Sequence, residues 1–228
     1  MIGIIGAMES ETAAIIRAME QAEAQVISGV RFVCGKWCGK EVVVATAGVG
    51  KVFAALCTEA MILTYHPECI INTGVAGALD PALEIMDVVI AEQVVQHDMD
   101  TSPLGDPIGM ISGINQVELP ADKKLIHSFT QAAEKAGAKA ICGVVASGDQ
   151  FIADQQKKNL IRIRFNAACC EMEGAAIGQV CYVNKVPFAV LRAISDGAGE
   201  EAVMDFPAFV KKAAKQSINI LQEAFKNL

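Results

Sequence analysis

Short apolar runs rich in β-branched residues recur along the chain, and helix-length stretches separate them. This alternation constrains the fold more than any other feature. Such runs suit strands buried on both faces, and buried strands need helices to cover them. Ile2 to Ile5, ending at Gly6, reads as the first strand. VRFVCGKWCGKEVVVATAG is apolar runs divided by Gly-Lys turns, hence a hairpin. CIINTG, MDVVIAEQVVQHD, Ala140 to Ser147, Ala167 to Glu171 and PFAVLRAIS supply further strands. Helices are expected over Glu9 to Glu20 (Ala13, Ala14 and Ile16 facing inward), Val52 to Tyr65, Ala121 to Ala136 and Asp154 to Ile163. Another follows Glu171 and reaches Val183. Asp205 would cap the last helix, with Pro207 in its first turn. Along it Phe206, Val210, Ala213, Ser217, Leu221 and Phe225 recur at helical spacing. Thr101 to Leu119, broken early by Gly and Pro, reads as a long loop. The sum is an α/β protein with a central mixed β-sheet flanked by helices.

Of the 228 residues, 53% are hydrophobic, and no linker or charge block divides them. One domain over residues 1–228 is therefore expected. The net charge is −7 with no basic stripe, so nucleic acid is not an expected partner. No apolar run is long enough to span a bilayer, so no membrane association is expected. The N-terminal MIGIIGAMESE lacks the basic start of a signal peptide, which favours a cytoplasmic setting. Eight cysteines then read as reduced thiols, most of them small core residues. Cys34 and Cys38 are spaced C-x3-C, Cys169 and Cys170 are adjacent, and the three histidines are scattered. That pattern predicts neither a metal site nor another cofactor.

Ligands of α/β sheets bind at the carboxyl ends of strands. Five such ends carry acids or glycines: GAMESE, NTGVAGA, SGDQFI, EMEGAA and RAISDGAG. Each has a plain structural explanation. Glu9 and Glu11 favour a helix N-terminus, GVAGA suits a turn, Phe151 and Met172 suit a core, and Asp196 before Gly197 suits a turn. AGVGK fits neither common phosphate-loop pattern. Glu171 and Glu173 are harder to explain in this way. Alternation places both on one side of an extended segment, with Met172 on the other. Two buried carboxylates there repel unless a cation or hydroxyl lies between them. Arg192 is a candidate cation, and a ribose diol a candidate hydroxylic partner.

GIIGAMESE, INTGVAGAL, ASGDQFI, CEMEGAAIG and RAISD together resemble the signature segments of the 5′-methylthioadenosine/S-adenosylhomocysteine nucleosidases, in the nucleoside phosphorylase superfamily. The resemblance is collinear over nearly the whole chain. It implies a nucleoside phosphorylase-like fold and hydrolysis of the N-glycosidic bond of adenine thionucleosides with water and no metal. By match to the motifs, Glu11 would be the general base and Asp196 the general acid at purine N7. Glu173 would bind the ribose hydroxyls, with Met172 and Met8 packed beneath the sugar. Phe151 would stack on adenine and the Ile152 backbone would pair with its edge. Arg192 would lie near the water and Glu173. Val75, Ala76 and Gly77 would line the substrate site, and Phe206 would wall the 5′-alkylthio pocket. Glu171 would pair with a neighbouring donor as support. A homodimer, with one subunit's loop reaching into the other's pocket, is also implied.

The chain departs from the family at two places. Val75 stands where many members have Ser, so Asp196 must find another partner. The Thr101 to Gly113 loop lacks closing aromatics and offers Leu104, Pro107 and Ile108. Relatives also act on 5′-deoxyadenosine and on aminodeoxyfutalosine, which the sequence does not rank. Two other readings remain. A phosphorylase would need a cationic cradle, yet no Arg lies between Met1 and Ile16, and Asn72 and Val75 stand where phosphorylases tend to have Arg and Ser. A non-catalytic nucleoside-binding protein would not need the acid and base together.

Overall fold

The computed structural model describes residues 1–198, 202–226 and 228, and of residues 202–208 only the backbone. The strands are β1 (Ile2–Gly6), β2 (Glu20–Ile27), β3 (Val30–Trp37), β4 (Lys40–Thr46), β5 (Cys69–Ala78), β6 (Val88–Gln96), β7 (Glu118–Pro120), β8 (Ala140–Ser147), β9 (Ala167–Glu171) and β10 (Phe188–Asp196). The helices are α1 (Glu9–Arg17), α2 (Lys51–Tyr65), α3 (Lys123–Lys135), α4 (Gln155–Phe165), α5 (Gly174–Asn184) and α6 (Ala202–Ala224).

All ten strands belong to one mixed sheet. β1 is parallel to both β4 and β5, and β2, β3 and β4 form an antiparallel meander. β10 pairs with β5 on one side and β6 on the other. β6 continues through β8 and β9 back to β5, so these five strands close a ring. β1 and its neighbours alternate between two apolar faces. Ile4, Val42, Val44 and Ile71 enter one core, while Ile5, Val43, Ala45 and Ile70 enter the other. α1, α3 and α6 contribute to the first core, α2 and α5 to the second. A smaller cluster, including Ile152, Ile161 and Phe165, lies under α4.

Several boundaries differ from the sequence reading. α1 stops at Arg17, and Thr12 and Ile15 are its buried face with Glu11, whereas Ala14 is exposed. Of the residues expected to extend it, Glu20 instead opens β2, an exposed edge strand whose polar sequence hides any alternation. β5 does not end at Gly74. Pairing with β10 and β9 satisfies the backbone through Gly77, so NTGVAGA is strand rather than turn. The long loop contains a short 3-10 turn, Ser102–Leu104, and then β7. α6 begins at Ala202, so Asp205 and Pro207 lie inside its backbone rather than at its start. Val210 is half-buried, and Ala213, Ser217, Leu221 and Phe225 are buried, as the spacing implies.

Candidate active site

Strand ends β1, β5, β8, β9 and β10 converge on a cavity of about 340 Å³. That volume is in the range of small-molecule pockets. Met8, Glu11, Val75, Ala76, Gly77, Phe151, Ile152, Met172, Glu173, Arg192 and Asp196 all line it. The side chain of Phe206 lies outside the described residues.

Glu11 is the third residue of α1, and its carboxylate turns back toward the strand it follows. Oε2 accepts from the backbone N–H of Ala7 (2.7 Å) and Met8 (2.9 Å), and Oε1 from that of Val75 (3.1 Å). A first-turn acid that serves the helix N-terminus is thereby fixed at the floor of the cavity. Burial pushes its carboxyl above the ordinary range, opposed by the Arg192 charge and the three N–H groups.

Arg192 is the buried cation among the acids. Its Nη2 forms ion pairs with Glu171 and, at 3.7 Å, with Glu173, and donates to Asn72 Oδ1; Nη1 donates to the Val75 carbonyl (3.3 Å). Burial disfavours its charge, but Glu171, Glu173 and Glu11 outweigh burial and hold the guanidinium charged. Gly74 makes this approach feasible. A Cβ there would overlap Arg192 Nη1 and lie 2.5 Å from Glu11 Oε1.

The two neighbouring glutamates have different tasks. Glu171 accepts from Ser147 Oγ and from the N–H groups of Glu173 (3.1 Å) and Gly174 (2.8 Å), which start α5. Glu173 caps α5 positionally, and its Oε1 accepts from the Gly50 N–H (2.9 Å). Burial first, then the Glu171 charge, pushes the Glu173 carboxyl up to about 7, with Arg192 and the Gly50 N–H opposing. Asp196, at the end of β10, accepts from Ser195 Oγ (2.9 Å). Gly77 clears space beside it, since a Cβ would lie 2.7 Å from Asp196 Oδ2. Among the described residues no group of three His, Cys, Asp or Glu side chains is placed to hold a metal ion.

A model of the phosphorylase superfamily matches residues 1–226. The 5′-methylthioadenosine/S-adenosylhomocysteine nucleosidase of Shewanella loihica is 41% identical over 229 residues, covering 100% of this chain and 99% of the relative. The same-named protein of Neisseria meningitidis, solved with methylthio-immucillin-A, superposes with a TM-score of 0.96 at 35% identity, covering 100% of this chain and 99% of that one. The chain belongs to the methylthioadenosine/S-adenosylhomocysteine nucleosidase family of N-glycosyl hydrolases. A futalosine hydrolase of Helicobacter pylori is also similar, with a TM-score of 0.95, 37% identity, and coverage of 100% of this chain and 97% of that one.

In this nucleosidase-family chain several groups at the cavity were not assigned from the sequence. Ser195 sits inside RAISD, and its hydroxyl supplies Asp196 with the partner that Val75 cannot. AGVGK, set aside as a phosphate loop, contributes Val49 to the wall and the Gly50 N–H to Glu173. Gly48 and Gly50 both take a positive φ, which glycine adopts without strain. Cys170 also lines the cavity, its thiol pushed up to about 12 by burial. Glu171 and Glu173 do not share one side of a strand as alternation suggested. β9 stops at Glu171, and the chain bends so that both acids meet Arg192. Phe151 and Met172 are not core: Phe151 is 49% exposed and Met172 half-buried, both at the cavity. Leu104, Pro107 and Ile108 do not line this chain's own cavity, and Leu104 is 84% exposed.

Proposed function

We propose that the chain hydrolyses the N-glycosidic bond of 5′-methylthioadenosine and S-adenosylhomocysteine, releasing adenine and the 5-thioribose product. One observation carries this reading: Glu11 and Asp196, each 2% exposed, line a single cavity together with Glu173 and Arg192. Cleavage of the C1′–N9 bond leaves its electron pair on the purine and positive charge on the sugar. Asp196 transfers a proton to N7, so adenine departs neutral. Glu11 takes a proton from water as the water oxygen bonds to C1′. The leaving base thus gains a hydrogen, the sugar gains a hydroxyl, and the two carboxyl groups exchange one proton. Such acid and base assistance is typically worth ~10²–10⁴ in rate each. Glu173 accepts from the ribose diol, and buried carboxylates favour the developing sugar cation.

Around these groups, Met8 and Met172 pack beneath the sugar, Phe151 stacks on adenine, and the Ile152 backbone pairs with its edge. Ala76 and Gly77 border the purine. The closeness to a futalosine hydrolase supports a second reading, a larger 5′ substituent on the same nucleoside. Comparing kcat/KM for methylthioadenosine, adenosylhomocysteine, 5′-deoxyadenosine and aminodeoxyfutalosine decides between them.

Phosphate is a poor nucleophile here. Glu11 is anionic when it acts as base, and Arg192 is committed to Glu171, Glu173 and Asn72. Adenine release is expected to be independent of phosphate; dependence on it would assign a phosphorylase instead. Asp196→Asn is expected to keep nucleoside binding and lose ~10²-fold or more in kcat, measured by calorimetry and adenine release. Binding without release of base by the unaltered protein would mark it as a nucleoside sensor.

The same reading makes the protein a single-domain cytoplasmic homodimer that serves methionine salvage. The cysteines, free among the described residues, suit a reducing compartment. The exposed Leu104 loop and the exposed apolar residues Val52, Phe53, Leu56 and Leu63 of α2 suit a second copy of the chain.

A further inference from the structure

We propose that Lys51, Asp98 and Asp149 form a positioning ring that fixes Glu173 relative to the Phe151–Ile152 wall. This rests on the functional reading above, in which Glu173 holds ribose and that wall holds adenine. The ring starts from an unmet need. α2 begins after Gly50, and no side chain of its own segment caps it. A helix start carries unpaired N–H donors and partial positive charge. Asp149, far away in sequence, meets that need: its Oδ1 accepts from the Lys51 N–H at 2.7 Å.

Two further contacts close the ring. The Asp149 N–H donates to Asp98 Oδ2 (2.9 Å), and Lys51 Nζ donates to Asp98 Oδ1 (2.6 Å). Lys51 Nζ also donates to Gln96 Oε1 at 3.0 Å. The Lys51 and Asp98 side chains are only 19% and 18% exposed, so solvent screens this pair less than a surface pair. Three segments are thus tied together: the β4–α2 loop, the chain after β6, and the chain after β8.

Each end of the ring adjoins a substrate contact. One residue before Lys51, the Gly50 N–H holds Glu173 Oε1. Two residues after Asp149 comes Phe151, then Ile152. Gly50 has φ +101°, and a Cβ on it would lie 3.0 Å from Asp149 Oδ1, so glycine suits this closure. None of the three ring residues lines the cavity. They act through Glu173 and the wall, setting the span between ribose and purine.

The test uses the full chain and two probes. The first is a C-nucleoside analogue of methylthioadenosine, whose carbon–carbon link resists hydrolysis; the second is adenine alone. Binding of each is measured by calorimetry for the unaltered protein, Lys51→Met, Lys51→Arg, Glu173→Gln and the Lys51→Met/Glu173→Gln double variant. Lys51→Met is expected to weaken the C-nucleoside roughly 10- to 100-fold, within the range for residues coupled in one hydrogen-bond network, and adenine by about 2-fold or less. Lys51→Arg is expected to recover part of the loss. In the Glu173→Gln background the effect of Lys51→Met should shrink to about 2-fold, because coupled residues do not act additively. Equal weakening of both probes, or an undiminished effect in that background, overturns the ring. Asp98→Asn, of nearly the same shape, makes the same comparison should Lys51→Met not fold. Because binding is read without turnover, absence of hydrolysis by the unaltered protein would overturn the functional reading separately.

Discussion

At the scale of single residues, the site trades stability for readiness. Glu173 is held near 7 by burial and the Glu171 charge, above its ordinary 4.5. Below the ordinary value it is protonated in both folded and unfolded chains. As pH rises from there through about 7, the unfolded chain ionises first, so the fold loses stability. The loss is on the order of a few kcal/mol and complete above neutrality. Glu173→Gln does not titrate there, so its melting temperature is expected to gain on the unaltered protein between pH 5 and pH 8. An unchanged difference across that range would contradict the shift. Glu11 is raised too, so the acidic limb of kcat/KM is expected above the ordinary carboxylate range, as a pH–rate profile would show. Gly74→Ala places a methyl against Arg192 and Glu11. It is expected to cost ~1–3 kcal/mol by overpacking and to depress kcat/KM, read by thermal melts and adenine release. Sequence alone offered Arg192 as a candidate cation between Glu171 and Glu173, with a ribose diol as the alternative, and Arg192 does pair with both. The Gly50 N–H was not legible, because a backbone donor leaves no residue-type signature.

At the scale of elements, caps and edges explain most agreements and most errors. Asp154 and Asp122 accept from the N–H groups that open α4 and α3, as side chains before apolar-patterned runs should. Asp122→Ala, remote from the cavity, is expected to cost ~1 kcal/mol in urea unfolding and to leave kcat/KM unchanged. Altered kinetics would show that α3 reaches the site. β2 escaped notice because an exposed edge strand buries neither face and carries no apolar period. β5 was cut short because its glycines resemble a turn. They serve instead to admit Arg192, Glu11 and Asp196 beside the strand. α2 shows the same principle in reverse, its cap being supplied from the β8–α4 loop.

At the scale of the whole molecule, closure of β5, β10, β6, β8 and β9 into a ring decides where the cavity sits. An open sheet would leave β5 and β10 at different distances from β9. The ring brings the ends of all three to one cavity, so Glu173 and Asp196 share it, and Glu11 joins them from α1, which follows the β5 neighbour β1. The proposed homodimer belongs to this scale as well. Phe53→Glu places a charge on the exposed face of α2 and is expected to shift the protein to monomer, checked by sedimentation. A variant that sediments as the unaltered protein would locate the interface elsewhere. Taken by itself, the sequence determined the α/β class and most strand and helix cores, and its resemblance to a family named the candidate acid, base and ribose carboxylate. Apolar period, capping residues and motif order are local and survive in a linear string. Only the tertiary structure decided the ring closure, the Gly50 N–H that holds Glu173, the Ser195 hydroxyl on Asp196 and the contacts among Lys51, Asp98 and Asp149. Those depend on contacts between segments far apart along the chain, and on backbone groups that every residue carries alike.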